Sequence, residues 1–157
     1  DSRGQLHVIA ANELGMGYRC CEIDEGWIFS SALFKAPLSD SIDIKVKMET
    51  IQRQREKSQP IKEKTGGSTF ANPTGYKAWK LIDAAGCRGK HFGAAKVSEK
   101  HCNFLINTGD ATAHDLETLG EFVRERVLDN SGIQLNWEIR RIGTAKKDIS
   151  SYSGENK

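Results

Sequence analysis

The stretch T-A-H-D-L-E-T-L-G-E-F-V-R-E-R-V-L-D-N-S-G-I-Q-L-N-W-E-I-R, Thr112 to Arg140, decides the fold class. Thr112 followed three residues later by Asp115 is a capping-box start, with Asp in place of the usual Glu. Leu116, Leu119, Val123 and Val127 then recur at helical spacing, so a helix is expected to bury them and end between Asn130 and Gly132. Beyond the glycine the period changes to two. Leu135, Trp137 and Ile139 alternate with Asn136, Glu138 and Arg140, which predicts a closing strand. A helix and a strand thus follow each other with different periodicities.

Upstream the same interleaving continues. Leu6, Val8 and Ala10 alternate like a short strand, and Trp27 to Ala36 is a second strand-favouring run that Pro37 breaks. Asp40 to Lys57 reads as a helix, because Ser39, Asp40 and Ser41 offer caps and Gln59-Pro60 stops it. T-G-G-S-T-F-A-N-P-T-G over Thr65 to Gly75 reads as a loop in which the glycine pair permits positive φ. Tyr76 to Ala85 fits a helix directing Trp79, Leu81, Ile82 and Ala85 to the core, stopped by Gly86. His91 to Lys100 is a strand or loop, and Cys102 to Asn107 is a strand. Too few strands are present for a doubly wound sheet, so the class is α+β. Trp79, Phe104, Leu119, Val123 and Trp137 are the expected core, and the polar tail from Thr144 is expected to be disordered.

The 157 residues favour one domain, or one with part of another. With 38% hydrophobic and 28% charged residues, the chain is neither disordered nor fibrous as a whole. No apolar run is long enough to cross a bilayer and no signal peptide opens it, so a soluble protein is expected. Asp1 stands where a start would have Met, which implies a beginning further upstream. The net charge of +2 argues against nucleic acid as a partner. Residues 1–42 hold three basic and six acidic groups, whereas 43–65 hold seven and four. That basic run suits an anionic small molecule or, equally, a solvated helix. Cys20, Cys21, Cys87 and Cys102 form no C-x-x-C, so neither a zinc knuckle nor a disulfide framework is expected. Reduced thiols in the cytoplasm fit best. The four scattered histidines offer no metal site.

Three residues are chemical candidates on their own terms. Ser68 follows two glycines, so its hydroxyl can meet a ligand approaching closely; a local turn hydrogen bond is the plainer reading. Glu138 sits on the strand face opposite Leu135 and Trp137, where a surface ion pair is the plainer reading. Arg19, after Tyr18, could clamp a carboxylate.

An ordered set of short pieces then becomes recognisable. Gly67-Ser68-Thr69-Phe70-Ala71-Asn72-Pro73 comes first, followed by Leu81-Ile82 with Ala85-Gly86, and by Gly93-Ala94. Val97-Ser98-Glu99-Lys100-His101 precedes Asn103-Phe104 and Ile106-Asn107-Thr108-Gly109. Glu138-Ile139-Arg140 with Ile142-Gly143 closes the series. In this order they resemble the C-terminal part of the UDP-N-acetylenolpyruvoylglucosamine reductase family, flavoenzymes of peptidoglycan precursor synthesis. The resemblance implies that residues 1–40 end an FAD-binding region, that 41–143 form the substrate-binding domain, and that 144–157 are a disordered tail. It implies FAD and NADPH as cofactors and UDP-N-acetylglucosamine enolpyruvate as substrate. By motif match Ser68 takes the proton-donor position, Glu138 that of a carboxylate polarising the developing enol, and Arg19 that of the arginine on the substrate carboxylate. Tyr18 and Asn72 match substrate-contacting residues. Cys21 and Lys96 depart from the family pattern, and the N-terminal flavin motifs are missing, so cofactor-binding residues are unassigned here. A non-catalytic nucleotide-sugar-binding module is the alternative.

Overall fold

The computed structural model describes residues 1–143, and the expected tail lies outside them. The chain divides into two compact units, residues 1–40 and a second beginning at Ser41. The second unit holds three helices and a four-stranded antiparallel sheet, as the α+β reading requires. In chain order they are α1 (Ser41–Ser58), β1 (Lys64–Ser68), α2 (Ala78–Ala84), β2 (His91–Phe92), β3 (Ala95–Val97), β4 (Phe104–Asn107) and α3 (Ala113–Ser131). The strands lie in the order β1-β4-β3-β2.

Helix α3 forms for the reasons its sequence predicts. The Thr112 hydroxyl accepts from Asp115 N–H (3.1 Å) and the Asp115 carboxylate accepts from Thr112 N–H (2.9 Å). Gly132 ends the helix in the left-handed region at φ +69°. Leu119, Val123 and Val127 are buried on its inner face. They pack with Ile82 of α2, Ala95 and Val97 of β3, Leu105 of β4, Phe70 and Leu135. Apolar area removed from water here stabilises the domain at about 25 cal/mol per Å².

Several expectations are corrected. Lys64–Ser68 is a strand rather than a loop. Thr65 pairs with Ile106 and Ser68 with Phe104, so three steps on β1 answer two on β4. Gly66-Gly67 therefore forms a β-bulge, with Gly67 at φ +92°. The expected strand at 135–139 makes one ladder rung, Phe70 opposite Trp137, and the chain bends at Ile139. Trp79 stays 37% exposed on the outer side of α2, where Ala78 and Ile82 take the core instead. Helix α2 starts at Ala78 rather than Tyr76.

The largest correction concerns residues 1–40. Neither Leu6–Ala10 nor Trp27–Ala36 forms a strand, and nothing in this unit is buried. Ile28, Leu33 and Phe34 are each more than 85% exposed. A strand is stable only when a neighbour pairs its N–H and C=O groups. Among the described residues of this unit the only β-bridge is that between Gly17 and Cys20, and neither expected strand takes part in it.

The Trp137 indole lies against α3 at Gly120. A Cβ at position 120 would stand 2.0 Å from Trp137 Cη2 and 2.6 Å from Cζ2. Gly120→Ala should therefore lower the unfolding midpoint, although alanine alone favours a helix by about 1 kcal/mol. Overpacking at such a contact costs about 1–3 kcal/mol. Thermal denaturation checks this, and an unchanged or raised midpoint would show that the ring does not fill that notch.

Candidate active site

Ser68 and Glu138 adjoin a short buried segment, Thr69-Phe70, that follows the bulge. Thr69 and Phe70 are essentially inaccessible, so their backbone groups must find partners inside the protein. On one side the partner is Asn103, which is 4% exposed. Its carbonyl accepts from Thr69 N–H (2.8 Å). Its side chain closes a two-way clamp on Phe70: Oδ1 accepts from Phe70 N–H (2.9 Å) and Nδ2 donates to Phe70 C=O (2.8 Å). The Thr69 hydroxyl accepts from Leu105 N–H (3.3 Å).

On the other side lies the chain after α3. Thr69 C=O accepts from Glu138 N–H (2.9 Å), and Ala71 N–H donates to Asn136 C=O (2.9 Å). The Trp137 ring meets Phe70 at 5.0 Å between centroids. Its indole N–H donates to Glu121 Oε1 (2.9 Å), and the Arg124 guanidinium donates to Leu135 C=O (2.9 Å). Burial pushes the Glu121 carboxyl up, but the Trp137 and Arg124 hydrogen bonds outweigh it and hold the group below its ordinary value.

Ser68 and Glu138 are linked through the backbone of Thr69. Ser68 is half-buried at the end of β1, directly before the residue whose carbonyl receives the Glu138 N–H. Glu138 is half-buried as well. Asn72 lies four residues beyond Ser68, and its Oδ1 accepts from Ala78 N–H (2.9 Å), so it also anchors the opening of α2. Tyr18 and Arg19 belong to the other unit, at the tip of a turn in which Gly17 and Cys20 are bridged. Arg19 has φ +63°, unusual for a side-chain-bearing residue, and its guanidinium lies 5.7 Å from the Tyr18 ring centroid. Lys96 is paired with Glu99 (2.7 Å).

Arg88 grips Asp83 with two nitrogens (2.8 and 2.7 Å) and holds its carboxyl below the usual range; it also donates to Glu99 C=O. Burial pushes the Cys102 thiol up to about 11, so it is no nucleophile at neutral pH. Asn103 and Thr69 were not singled out as functional residues in the sequence. The available signal was a lone amide inside the apolar run Cys102–Ile106, since a buried amide must be hydrogen-bonded.

Fold and site together define a small antiparallel α+β domain that presents a serine and a carboxylate on adjoining stretches of backbone. The family model for the UDP-N-acetylenolpyruvoylglucosamine reductase C-terminal domain matches residues 59–142. The chain is 62% identical over 150 residues to a UDP-N-acetylenolpyruvoylglucosamine reductase of Paramagnetospirillum magneticum, covering 96% of this chain and 48% of that protein. It is 52% identical over 161 residues to the one from Rhodospirillum rubrum, covering 99% and 50%. A crystal structure of UDP-N-acetylenolpyruvylglucosamine reductase from Thermus caldophilus matches with a TM-score of 0.70 and 36% identity, over 84% of this chain and 47% of that one. The chain belongs to the UDP-N-acetylenolpyruvoylglucosamine reductase family, and it spans about half the length of the curated relatives it matches.

His101 links this site to pH. Its Nδ1 accepts from Asn103 N–H (3.3 Å), which requires that nitrogen to be unprotonated. Burial first, and the nearby Arg88 cation, lower its pKa below 6.5, outweighing a backbone hydrogen bond that raises it. The unfolded chain therefore binds this proton more readily than the folded one. The stability His101 contributes is present above its unfolded pKa, near 6.5, and is lost as pH falls through the lowered folded value. Denaturant titrations at stepped pH should show that loss setting in below about pH 6.5 in the parent and absent in His101→Gln down to about pH 5. Identical pH profiles for the two would remove His101 from this account.

Proposed function

We propose that this chain is the substrate-handling half of a UDP-N-acetylenolpyruvoylglucosamine reductase. In that reading it reduces the enolpyruvyl ether of UDP-N-acetylglucosamine to UDP-N-acetylmuramate for peptidoglycan precursor synthesis in the cytoplasm. The observation that supports the reading is the hydrogen bond from Glu138 N–H to the carbonyl of Thr69, the residue after Ser68. In the parent enzyme, FAD reduced by NADPH supplies the hydride. Residues 1–40 do not fit that cofactor by themselves, because none of them is buried and a flavin needs an enclosed cradle.

The chemistry assigned to this chain is the proton half of the reduction. As hydride arrives at the substrate's β-carbon, the π electrons move to the α-carbon and into the adjoining carboxylate. Arg19 holds that carboxylate and offsets the charge that builds on it. Ser68 donates its hydroxyl proton to the α-carbon, and solvent returns a proton to the serine oxygen. A serine is a weak acid, but an enolate carbon is a strong enough base to take its proton. Glu138 polarises the developing enol, and Asn72 and Tyr18 contact the substrate.

The isolated chain is expected to be colourless after gel filtration, with flavin absorbance far below one equivalent; stoichiometric FAD would contradict the assignment of residues 1–40. In the full-length reductase, Ser68→Ala should leave flavin reduction by NADPH unchanged. It should slow reoxidation by substrate about 10²–10⁴-fold, the usual loss with a general acid. Stopped-flow absorbance separates the two steps, and equal rates for variant and parent in the second would remove Ser68 as proton donor.

A further inference from the structure

We infer that Asn103 is a positioning residue for the proton transfer, acting through Thr69 and Phe70 to aim Ser68 and Glu138. This inference rests on the proposed role of Ser68. Three of Asn103's polar groups go to the Thr69-Phe70 backbone: its own carbonyl and both ends of its carboxamide. Thr69 passes the constraint on, since its carbonyl receives the Glu138 N–H and its hydroxyl receives Leu105 N–H. Ser68 is placed between this fixed segment and the Gly66-Gly67 bulge, whose Gly67 has nothing within 4 Å of where a Cβ would sit. Gly67 N–H donates to the Thr65 hydroxyl (3.3 Å), and Ser68 itself pairs with Phe104, the residue after Asn103. Ser68 is thus held from the 103–104 segment twice, directly through Phe104 and through Thr69, which Asn103 fixes.

A clamp of this kind goes beyond stability. Catalytic groups lose rate steeply when displaced by a fraction of an ångström. Removing the carboxamide leaves Phe70 N–H and C=O buried and unpaired, and the segment relieves that by shifting. The shift reaches Ser68 and Glu138 at once, because Thr69 joins them.

The test uses the full-length reductase with Asn103→Ala, Asn103→Asp, Ser68→Ala and Val127→Ala. Val127 is fully buried on α3 outside the Thr69-Phe70 segment and serves as a destabilised control. Asn103→Ala should lower kcat tenfold to a hundredfold with KM for substrate changed less than threefold, and should leave flavin reduction by NADPH unchanged. Asn103→Asp keeps the acceptor for Phe70 N–H and loses the donor to its carbonyl, so its kcat should fall between parent and Ala. Its larger solvent deuterium isotope effect would report a proton transfer that has become slower. Val127→Ala should lower the unfolding midpoint comparably while keeping kcat within twofold. If Ser68→Ala is slow while both Asn103 variants match the parent or Val127→Ala, the positioning role is overturned and the Ser68 assignment survives. If Ser68→Ala is as fast as the parent, both fall together.

Discussion

The Thr69-Phe70 peptide runs through the middle of the domain with no access to water, and its hydrogen bonds must all come from the protein. They come from two segments far apart in sequence, 103–105 and 136–138. An amide bond left unpaired in such a place costs about 1–3 kcal/mol per group, a sizeable share of a domain's total stability. The chain can therefore leave neither side unmade. Satisfying the first side joins β1 to β4; satisfying the second draws the residues after α3 back across Phe70. Each side alone would be ordinary. Together they make one buried peptide the meeting point of the whole second unit.

The aromatic and charged contacts outside it follow from that demand. For 136–138 to reach Phe70, the outer edge of the Trp137 ring must come up to α3, and Gly120 supplies the room. Glu121 and Arg124, one turn of helix apart on the same side, then tie the indole and the Leu135 carbonyl. The ring, the glycine and the ion pair are separate devices serving one purpose. Arg141 adds a cation over the Trp137 face at 4.8 Å.

Legibility in the sequence follows how local each cause is. Helix α3 was readable from its own residues, because its cap, its 3.6-residue apolar spacing and its terminal glycine all lie within twenty residues. Helix α1 was readable too, down to its stop before Pro60. The strands of residues 1–40 were misread because a strand is a relation between two segments, and alternation describes only one of them. Trp79 was misassigned because helical spacing defines a stripe, and small Ala78 holds the centre of that stripe. Ser68 stood out by composition, Gly-Gly-Ser, yet only the resemblance gave it a role. The lone amide of Asn103 in an apolar run marked it as a buried hydrogen-bonder, but its partner, 33 residues away, was not legible locally.

The Gly66-Gly67 bulge also bears on how this domain can change over generations. Side chains in a strand alternate between faces, so Thr65 and Ser68, three residues apart, would face opposite ways in a regular strand. The extra residue of the bulge absorbs one step, and both pair with residues on one face of β4, Ile106 and Phe104. Losing one glycine would leave a regular, less twisted ladder with Ser68 still opposite Phe104. The faces would survive, and only the bend before the serine would go. A single-codon deletion there and a point substitution thus act alike, on the aim of Ser68 and not on the face it occupies. Curvature, more than length, is what lineages carrying this site are constrained to keep between Lys64 and Thr69.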